Sequence, residues 1–150
     1  MSVPDQLQVM PSGIKFAGLG VWAKQRIEER VCFGPYLGVK RKVRSDSGYA
    51  WEIRHKKKIS HFVDASNPQT SNWMRYVNCA RHEEEQNLVA FQHKGEIYYR
   101  TVNIIEKGEE LLVWYGDQYG KQLGINCKEF HQNQMRSIKR TDKSAKQQKC

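Results

Sequence analysis

Two glycines that flank a leucine form the first run in this sequence whose residue types could serve binding or catalysis. Gly18 and Gly20 stand at alternate positions around Leu19. Glycines spaced in this way let a backbone approach a ligand closely, because no Cβ atom stands in the way. The run lacks the third glycine and the following helix of a dinucleotide-binding fingerprint, and by itself it is more often an ordinary turn. It is therefore a candidate ligand loop, but not a Rossmann-type site.

A second run, at residues 106–116, joins a turn at Lys107-Gly108 to an apolar strand that ends in Tyr115. A tyrosine at a strand end usually buries its ring in the core and leaves its hydroxyl in water. The same placement also delivers an aromatic hydroxyl to a site beside a glycine. The residue pattern alone leaves the structural and the chemical interpretations open.

A third run places Asn78 and Cys79 directly after an aromatic-rich piece at residues 72–76. The amide of Asn78 can donate and accept hydrogen bonds. A nucleophilic cysteine needs a neighbouring base, and no Cys–His pair of a known catalytic spacing is visible, so Cys79 is more simply a small buried thiol. The four cysteines are widely spaced and contain no CxxC pair, which predicts that the chain holds no metal.

Short β-rich runs alternate with Gly, Pro, Asn and Ser up to about residue 125. The predicted strands lie at residues 9–14, 20–23, 50–53, 88–92, 97–101 and 111–114. Residues 93–96 have the length of a hairpin turn, and residues 72–80 are the one candidate for a short helical or 3₁₀ piece. No sustained 3.6-residue apolar period occurs before residue 117. The sequence therefore predicts a mainly β domain without internal repeats.

Most of the net charge of +9 lies from residue 121 onward, where eight Lys and Arg residues stand against two acidic ones. Residues 126–150 are rich in Lys, Gln, Ser and Asn, which predicts a basic and largely disordered tail. A solvated linker is one interpretation of this tail, and contact with nucleic-acid phosphates is the other. The charge runs at residues 40–42 and 56–58 could add to such contact, although isolated charge runs are usually solvated faces. Without a bilayer-length apolar stretch or a secretory signal, we expect an intracellular protein.

Together these three runs resemble the SET superfamily of lysine methyltransferases. Residues 34–38, 47–51, 72–81 and 109–120 resemble the PR subclass of that superfamily in particular. The resemblance covers roughly residues 6–125, which would form the PR/SET domain ahead of the tail at residues 126–150. It implies the β-clip SET fold, which is mainly β, with several small sheets, short helices and a knot-like C-terminal active-site segment.

The resemblance also implies which residues form the site. The cofactor, S-adenosyl-L-methionine, would be bound by Ala17, Gly18, Leu19, Tyr49, Asn78 and Cys79. The substrate peptide would pair as an added strand with Asp46, Ser47, Gly48, Tyr49, Ala50, Trp51 and Glu52, and would also contact Tyr115. The tyrosines of the lysine channel, which take the catalytic role, are Tyr36, Tyr99 and Tyr115. No metal is implied, because the chain lacks the cysteine-rich zinc cluster that follows ordinary SET domains.

The implied activity is methyl transfer to a lysine of the histone H3 tail, lysine 4 in the first place and lysine 36 as the alternative. The implied setting is chromatin regulation in the nucleus, with weak DNA or nucleosome contact through the basic tail. The chain departs from ordinary SET enzymes at Asn78-Cys79, where they carry Asn-His. That departure favours a second interpretation, a catalytically inactive PR module that recruits protein partners to chromatin. Tyrosine at all three channel positions favours the enzyme.

Tyr115→Phe tests the implied catalytic role, because the change keeps the ring and removes one hydroxyl. If that hydroxyl orients the lysine amine, turnover on a histone H3 peptide should fall by roughly 10²–10³-fold. Binding of S-adenosylhomocysteine, measured by calorimetry, and the melting temperature should stay at their wild-type values. A wild-type rate of methylation would show instead that Tyr115 is only a structural residue.

Overall fold

The computed structural model describes residues 2–115, with Tyr115 described for its backbone only. In this range the chain forms ten strands and three short 3₁₀ helices. The strands are β1 (Leu7–Pro11), β2 (Leu19–Ala23), β3 (Cys32–Phe33), β4 (Val39–Arg41), β5 (Ala50–His55), β6 (Lys58–Asp64), β7 (Asn78–Cys79), β8 (Leu88–His93), β9 (Glu96–Thr101) and β10 (Leu112–Tyr115). The 3₁₀ helices are Pro68–Thr70, Trp73–Tyr76 and Glu83–Glu85. The predicted mainly β class is confirmed, and no helix in the described range is long and apolar enough to cross a membrane.

The strands form three small sheets. One pairs β1 with β2, one has the order β3-β9-β8-β10-β7, and one has the order β4-β6-β5. Strand β10 runs parallel to β7 and to β8, whereas the other paired strands are antiparallel. Several small sheets are what the SET resemblance predicts. The knot-like C-terminal segment, the domain boundary at residue 125 and the disordered tail concern residues from 116 onward, outside the described range, and stay predictions.

Strand β6 is the largest difference from the sequence prediction, which has no strand at these residues. It follows β5 through a two-residue turn, Lys56-Lys57, in which the φ angles are positive, at 49° and 66°. Such turns usually carry Asn-Gly, because residues with a Cβ atom disfavour the left-handed region. Two lysines carry no turn signal, so the sequence pattern does not reveal this hairpin.

The first strand lies earlier than predicted, at Leu7–Pro11 and not at residues 9–14. Pro11 has no N–H to continue a ladder, and the Ser12 hydroxyl accepts a hydrogen bond from the backbone N–H of Ile14 at 3.0 Å, which turns the chain. The other five predicted strands are present, with ends within two residues of the prediction. The hairpin turn at Lys94-Gly95 and the helix Trp73–Tyr76 are also confirmed. Strands β3, β4 and β7 have only two or three residues each, too few for periodicity to reveal.

One hydrophobic core joins the three sheets. It is packed around Trp51 of β5, Tyr99 of β9 and Trp114 of β10, each at most 1% exposed. Val21 of β2 and Met74 of the helix Trp73–Tyr76 belong to the same core. The strands that carry the predicted site residues therefore rest on a single packed interior, in which a change of even one methylene group is felt.

The side chain of Gln92 fastens the three-stranded sheet to the five-stranded one. Its Oε1 accepts a hydrogen bond from the backbone N–H of Arg54 at 2.8 Å, and its Nε2 donates to the Arg54 carbonyl oxygen at 2.6 Å. The pairing register of β5 shifts between Ile53 and Arg54. The amide of Gln92 thus satisfies the backbone of β5 at this irregularity, as a neighbouring strand would.

Gln92→Ala should lower the free energy of unfolding by about 1–3 kcal/mol, because two hydrogen bonds to a partly buried backbone are lost together. Urea denaturation should show a lower midpoint with an unchanged slope. Gln25→Ala is the matched control, since Gln25 is exposed. Equal midpoints for the two variants would show that Gln92 does not hold the sheets together.

Candidate functional site

The loop between β1 and β2 presents an open backbone at Gly18. The loop is closed by a hydrogen bond from the Ser12 N–H to the Gly18 carbonyl oxygen at 2.8 Å. Gly18 has a φ of +73°, and a Cβ atom added there would meet no atom within 4 Å. Its backbone conformation therefore favours glycine, while the space above it is empty. Leu19 is 42% exposed beside it, whereas Ala17 is buried.

The carboxylate of Glu110 holds this loop in place through hydrogen bonds to its first residues. Its oxygens accept hydrogen bonds from the Ser12 hydroxyl at 2.7 Å and from the Gly13 N–H at 2.8 Å. The buried amide of Asn78 donates to the Leu19 carbonyl oxygen at 3.0 Å and approaches the same carboxylate at 3.4 Å. Three separate parts of the chain, at residues 12–19, 78 and 110, are thereby fixed to one another.

Gly20 is a glycine for a different reason from Gly18. A Cβ atom on Gly20 would lie 2.3 Å from Oε2 of Glu110, so the carboxylate fills the space that a side chain would need. Glu110 lies in the second run described above, at residues 106–116, but the sequence pattern predicts no role for it. An acidic residue before an apolar strand is a common pattern, and only the fold brings Glu110 to Ser12, 98 positions away.

Two buried tyrosines lie behind the predicted peptide segment. Tyr36 and Tyr99 are 3% and 0% exposed, and their ring centroids are 6.1 Å apart. The Tyr36 hydroxyl donates to the Tyr49 carbonyl oxygen at 2.7 Å, and the Tyr99 hydroxyl accepts from Nε1 of Trp51 at 2.9 Å. Both hydroxyl groups therefore contact residues 49–51.

Burial, and then the neighbouring Tyr99, raise the pKa of Tyr36 well above its ordinary value. The Tyr36 hydroxyl therefore remains protonated at neutral pH. It can donate and accept hydrogen bonds, but it is not a phenolate base.

Arg75 sets the position of Tyr49, and sequence reasoning gave it no role. Its guanidinium carbon lies 4.3 Å from the Tyr49 ring centroid and 4.8 Å from that of Tyr76. Only 6% of Arg75 is exposed, and its Nε donates to the Ala65 carbonyl oxygen at 2.9 Å. Arginine among aromatic rings is a favourable placement for a buried cation, and here it packs Tyr49 against the helix Trp73–Tyr76.

The first half of the predicted peptide segment is shaped by Asp64 of β6. The Ser47 hydroxyl donates to Oδ1 of Asp64 at 3.0 Å and accepts from the Tyr49 N–H at 3.1 Å. Burial by itself would raise the pKa of Asp64, but hydrogen bonds from Ser66 and from neighbouring serine hydroxyls lower it below its ordinary value. The carboxylate is therefore charged at neutral pH and holds the turn that leads into β5.

The second half of the segment is the first part of strand β5, which lies at the edge of its sheet. The side chain of Trp51 is buried in the core, and Glu52 makes ion pairs with Arg44 at 3.4 Å and Arg54 at 3.0 Å. These two side chains are engaged within the domain. A peptide added beside this segment would therefore be recognised chiefly by the backbone.

The structure brings the predicted site residues together in two groups. In the first group, Gly18 and Leu19 lie in the loop that the Glu110 carboxylate holds at Ser12 and Gly13, Asn78 donates to the Leu19 carbonyl oxygen, and Cys79 follows Asn78 in β7, paired with β10. Tyr36, Tyr49, Trp51 and Tyr99 form the second group. The helix Trp73–Tyr76 bridges the groups, because it packs against β2 and its Arg75 contacts Tyr49. The side chain of Tyr115 lies outside the described residues, so its predicted role stays a prediction.

Comparison with known families gives this arrangement its context. Residues 7–126 match the family described as the PR domain of PR domain zinc finger protein 2. The chain belongs to the PR-domain family. The predicted family is thereby confirmed, and the match spans both groups of site residues.

Individual relatives agree with this assignment. The human histone-lysine N-methyltransferase PRDM7 is 48% identical over 128 residues, which are 83% of this chain and 26% of that protein. The Caenorhabditis elegans histone-lysine N-methyltransferase set-17 is 41% identical over 125 residues, 81% of this chain and 45% of that protein. This PR-domain chain thus spans less than half the length of these relatives.

Solved structures confirm the SET fold. The methyltransferase domain of human PR domain-containing protein 2 superposes with a TM-score of 0.68 at 39% identity, over 76% of this chain and 79% of that one. ATXR5, solved in complex with histone H3.1, superposes with a TM-score of 0.59 at 18% identity, over 75% of this chain and 59% of that one, and shows the fold alone. In residues 2–115, no group of three or more His, Cys, Asp and Glu side chains could hold a metal ion.

Glu110→Gln tests the role of the carboxylate in this PR domain. Glutamine keeps the size but replaces one accepting oxygen with a donor, which faces the donors of Ser12, Gly13 and Asn78. We expect a loss of about 1–3 kcal/mol in the free energy of unfolding and faster amide exchange in residues 12–19. Glu109→Gln is the matched control, because Glu109 is the exposed neighbour with the same charge. Similar losses in both variants would contradict a specific role for Glu110.

Proposed function

We propose that this domain is an S-adenosylmethionine-dependent histone-lysine N-methyltransferase that acts on the histone H3 tail in the nucleus. The observation that carries the proposal is the pair of buried tyrosines, Tyr36 and Tyr99, whose hydroxyl groups contact residues 49–51 from behind. The proposed aromatic channel and the predicted peptide strand would thus form one unit. The names of PRDM7 and set-17 as histone-lysine methyltransferases support the same activity.

The glycine loop fits the proposed cofactor. Gly18 offers an exposed backbone with no atom within 4 Å of the missing Cβ, and the Glu110 carboxylate and the Asn78 amide hold the loop in place. Gly18, Leu19 and Asn78, with Ala17, Cys79 and Tyr49 around them, are the proposed cofactor residues. When bound, S-adenosylmethionine would supply an activated methyl group for direct transfer to an amine.

The residues of the chain would align the substrate lysine and favour its neutral form. A free lysine amine has a pKa of about 10.4 and is mostly charged at neutral pH. A narrow aromatic channel disfavours the charged form by desolvation, which yields the neutral amine that transfer requires. Holding that amine in line with the methyl group converts the encounter into an intramolecular step. No general base is needed if the proton leaves to water first, which agrees with the protonated state of Tyr36.

Residues 46–52 would bind the H3 tail as an added strand, with lysine 4 as the proposed target and lysine 36 as the alternative. The alternative function is a PR module that recruits partners without catalysis. One observation favours it: the hydroxyl groups of Tyr36 and Tyr99 already have partners inside the domain. Tyrosines that only stabilise the core would make the same contacts.

Methyl transfer decides between these functions. The chain should transfer labelled methyl groups from S-adenosylmethionine to an H3 peptide that contains lysine 4, and an arginine substitution at that peptide position should abolish the labelling. Labelling only of a peptide with lysine 36 would support the enzyme but reject the preferred target. Cofactor binding with no transfer to any H3 peptide or nucleosome would support the recruiting module.

Cofactor binding at Gly18 has a matched internal control. Gly18 and Gly95 both have positive φ angles, +73° and +77°, and neither has an atom within 4 Å of an added Cβ. Alanine at either position should destabilise the fold to a similar extent, by about 1 kcal/mol. Only Gly18→Ala should weaken S-adenosylhomocysteine binding, measured by calorimetry and by the ligand-induced rise in melting temperature. Equal affinities in the two variants would remove Gly18 from the proposed site.

A further inference from the structure

The net positive charge of the described residues comes from one sheet. Residues 39–64, which form β4, β5 and β6, contain eight Lys and Arg residues against three Asp and Glu residues. The rest of the described chain contains nine Lys and Arg residues against ten acidic ones. The domain is therefore close to neutral except for this sheet, and a partner attracted by charge would meet it there.

Five lysines carry the uncompensated part of this charge. The arginines of the sheet are paired internally: Arg41 contacts Asp64 at 3.1 Å, and Arg44 and Arg54 contact Glu52. No ion pair found within residues 2–115 involves the lysines. All five are exposed, and together we call them the basic sheet surface: Lys40, Lys42, Lys56, Lys57 and Lys58.

The register of the sheet places four of these lysines toward one end, whereas Lys40 pairs with Val63 near the other end. Lys42 follows β4 and donates from Nζ to the Ser60 carbonyl oxygen at 3.1 Å. Ser60 lies two residues from Lys58, so the Lys42 ammonium lies about 7 Å along the strand from Lys58, the first residue after the turn. The positive charge of the sheet also acts on His61. The pKa of His61 is lowered first by burial and then by the charges of Lys40 and Lys42.

The turn at Lys56-Lys57 is a poor choice for folding alone. Both residues are left-handed, with φ angles of 49° and 66°, where Asn-Gly would be relaxed. The other two-residue hairpin turn in the described range, Lys94-Gly95, places glycine at its second position. Lysine at both positions strains the backbone and adds repulsion between like charges. Strain of this kind is characteristic of sites that do something besides fold.

We propose that the basic sheet surface binds the phosphate backbone of double-stranded DNA. Lysines on flexible stems act as point charges, which suits contact with successive phosphates irrespective of base sequence. The arginines, which would favour bidentate recognition of bases or carboxylates, are committed to Glu52 and Asp64. Three residues of β5, at positions 53–55, separate the lysine turn from the predicted peptide segment by about 10 Å along the strand, so DNA would lie beside a bound histone tail. The inference stands independently of methyl transfer.

A two-residue change in the turn tests the surface without endangering the fold. Lys56→Asn with Lys57→Gly removes two charges and installs the preferred turn residues, so the melting temperature should stay or rise. With the whole 150-residue chain and a fluorescent duplex of about 20 base pairs of mixed sequence, binding near 50 mM salt should weaken about tenfold or more. The slope of log affinity against log salt should become shallower by about 2.

Lys24→Gln with Lys94→Asn is the matched control, because it removes the same charge from exposed positions outside the sheet. This variant should bind DNA within about twofold of the wild type. Equal losses in the two double variants would overturn the proposal in favour of net charge alone. So would wild-type affinity in the turn variant, or loss of all DNA binding on deletion of residues 140–150. Weaker binding to polyglutamate but not to DNA would assign the surface to an acidic protein instead.

Discussion

The carboxylate of Glu110 occupies the point at which three distant parts of the chain meet. A partly buried charge is costly unless hydrogen bonds replace its water, and here the donors are the Ser12 hydroxyl, the Gly13 N–H and the Asn78 amide. The same carboxylate excludes any side chain at Gly20. The loop at residues 12–19 is therefore shaped by the protein before a ligand arrives. Preorganisation of this kind reduces the ordering cost of binding.

Strand β5 links the remaining features of the domain. Tyr49, just before the strand, and Trp51 within it contact the two proposed channel tyrosines, because the Tyr49 carbonyl accepts from Tyr36 and Nε1 of Trp51 donates to Tyr99. Its last residues are held by the Gln92 amide and lead into the lysine turn. A displacement of β5 would therefore also move the proposed channel, the predicted peptide strand and the basic sheet surface. Trp51, the second residue of the strand, is buried in the core and anchors this end of β5.

The extent to which the sequence predicts this molecule follows from how local each feature is. Some features can be predicted from a few neighbouring positions. These are the strands with alternating or continuous apolar residues and the glycine-containing turn at Lys94-Gly95. The hairpin at Lys56-Lys57 cannot be predicted in this way, because lysine is disfavoured at both positions of its turn. Gly18 and Gly20 look equivalent in sequence, yet one depends on its own φ angle and the other on Glu110, about ninety positions away.

Arg75 shows the same limit at the proposed site. It is the fourth residue of the run at residues 72–81, but its role depends on contacts with the Tyr49 ring and the Ala65 carbonyl, which lie in other parts of the chain. The sequence pattern draws attention to residues 72–81, but only the fold shows that Arg75 is the side chain that positions Tyr49. Resemblance to a family identifies residues that face a ligand more readily than residues that hold others in place. Glu110 and Arg75 are both of the second kind.

The structural and the catalytic interpretations of Tyr36 are compatible, and the hydrogen bond itself separates their consequences. A phenol oxygen has one hydrogen to donate and two lone pairs that can accept. In Tyr36 the hydrogen is committed to the Tyr49 carbonyl oxygen at 2.7 Å, and the raised pKa keeps the group protonated. As held here, Tyr36 can accept a hydrogen bond from a lysine ammonium, but it cannot donate one to the lone pair of a neutral amine. A tyrosine that orients that lone pair must have an uncommitted hydrogen, so the proposed channel requires unequal roles for its tyrosines. Tyr36 would then hold the lysine on arrival, while it is still charged, and would link its position to the peptide strand through Tyr49.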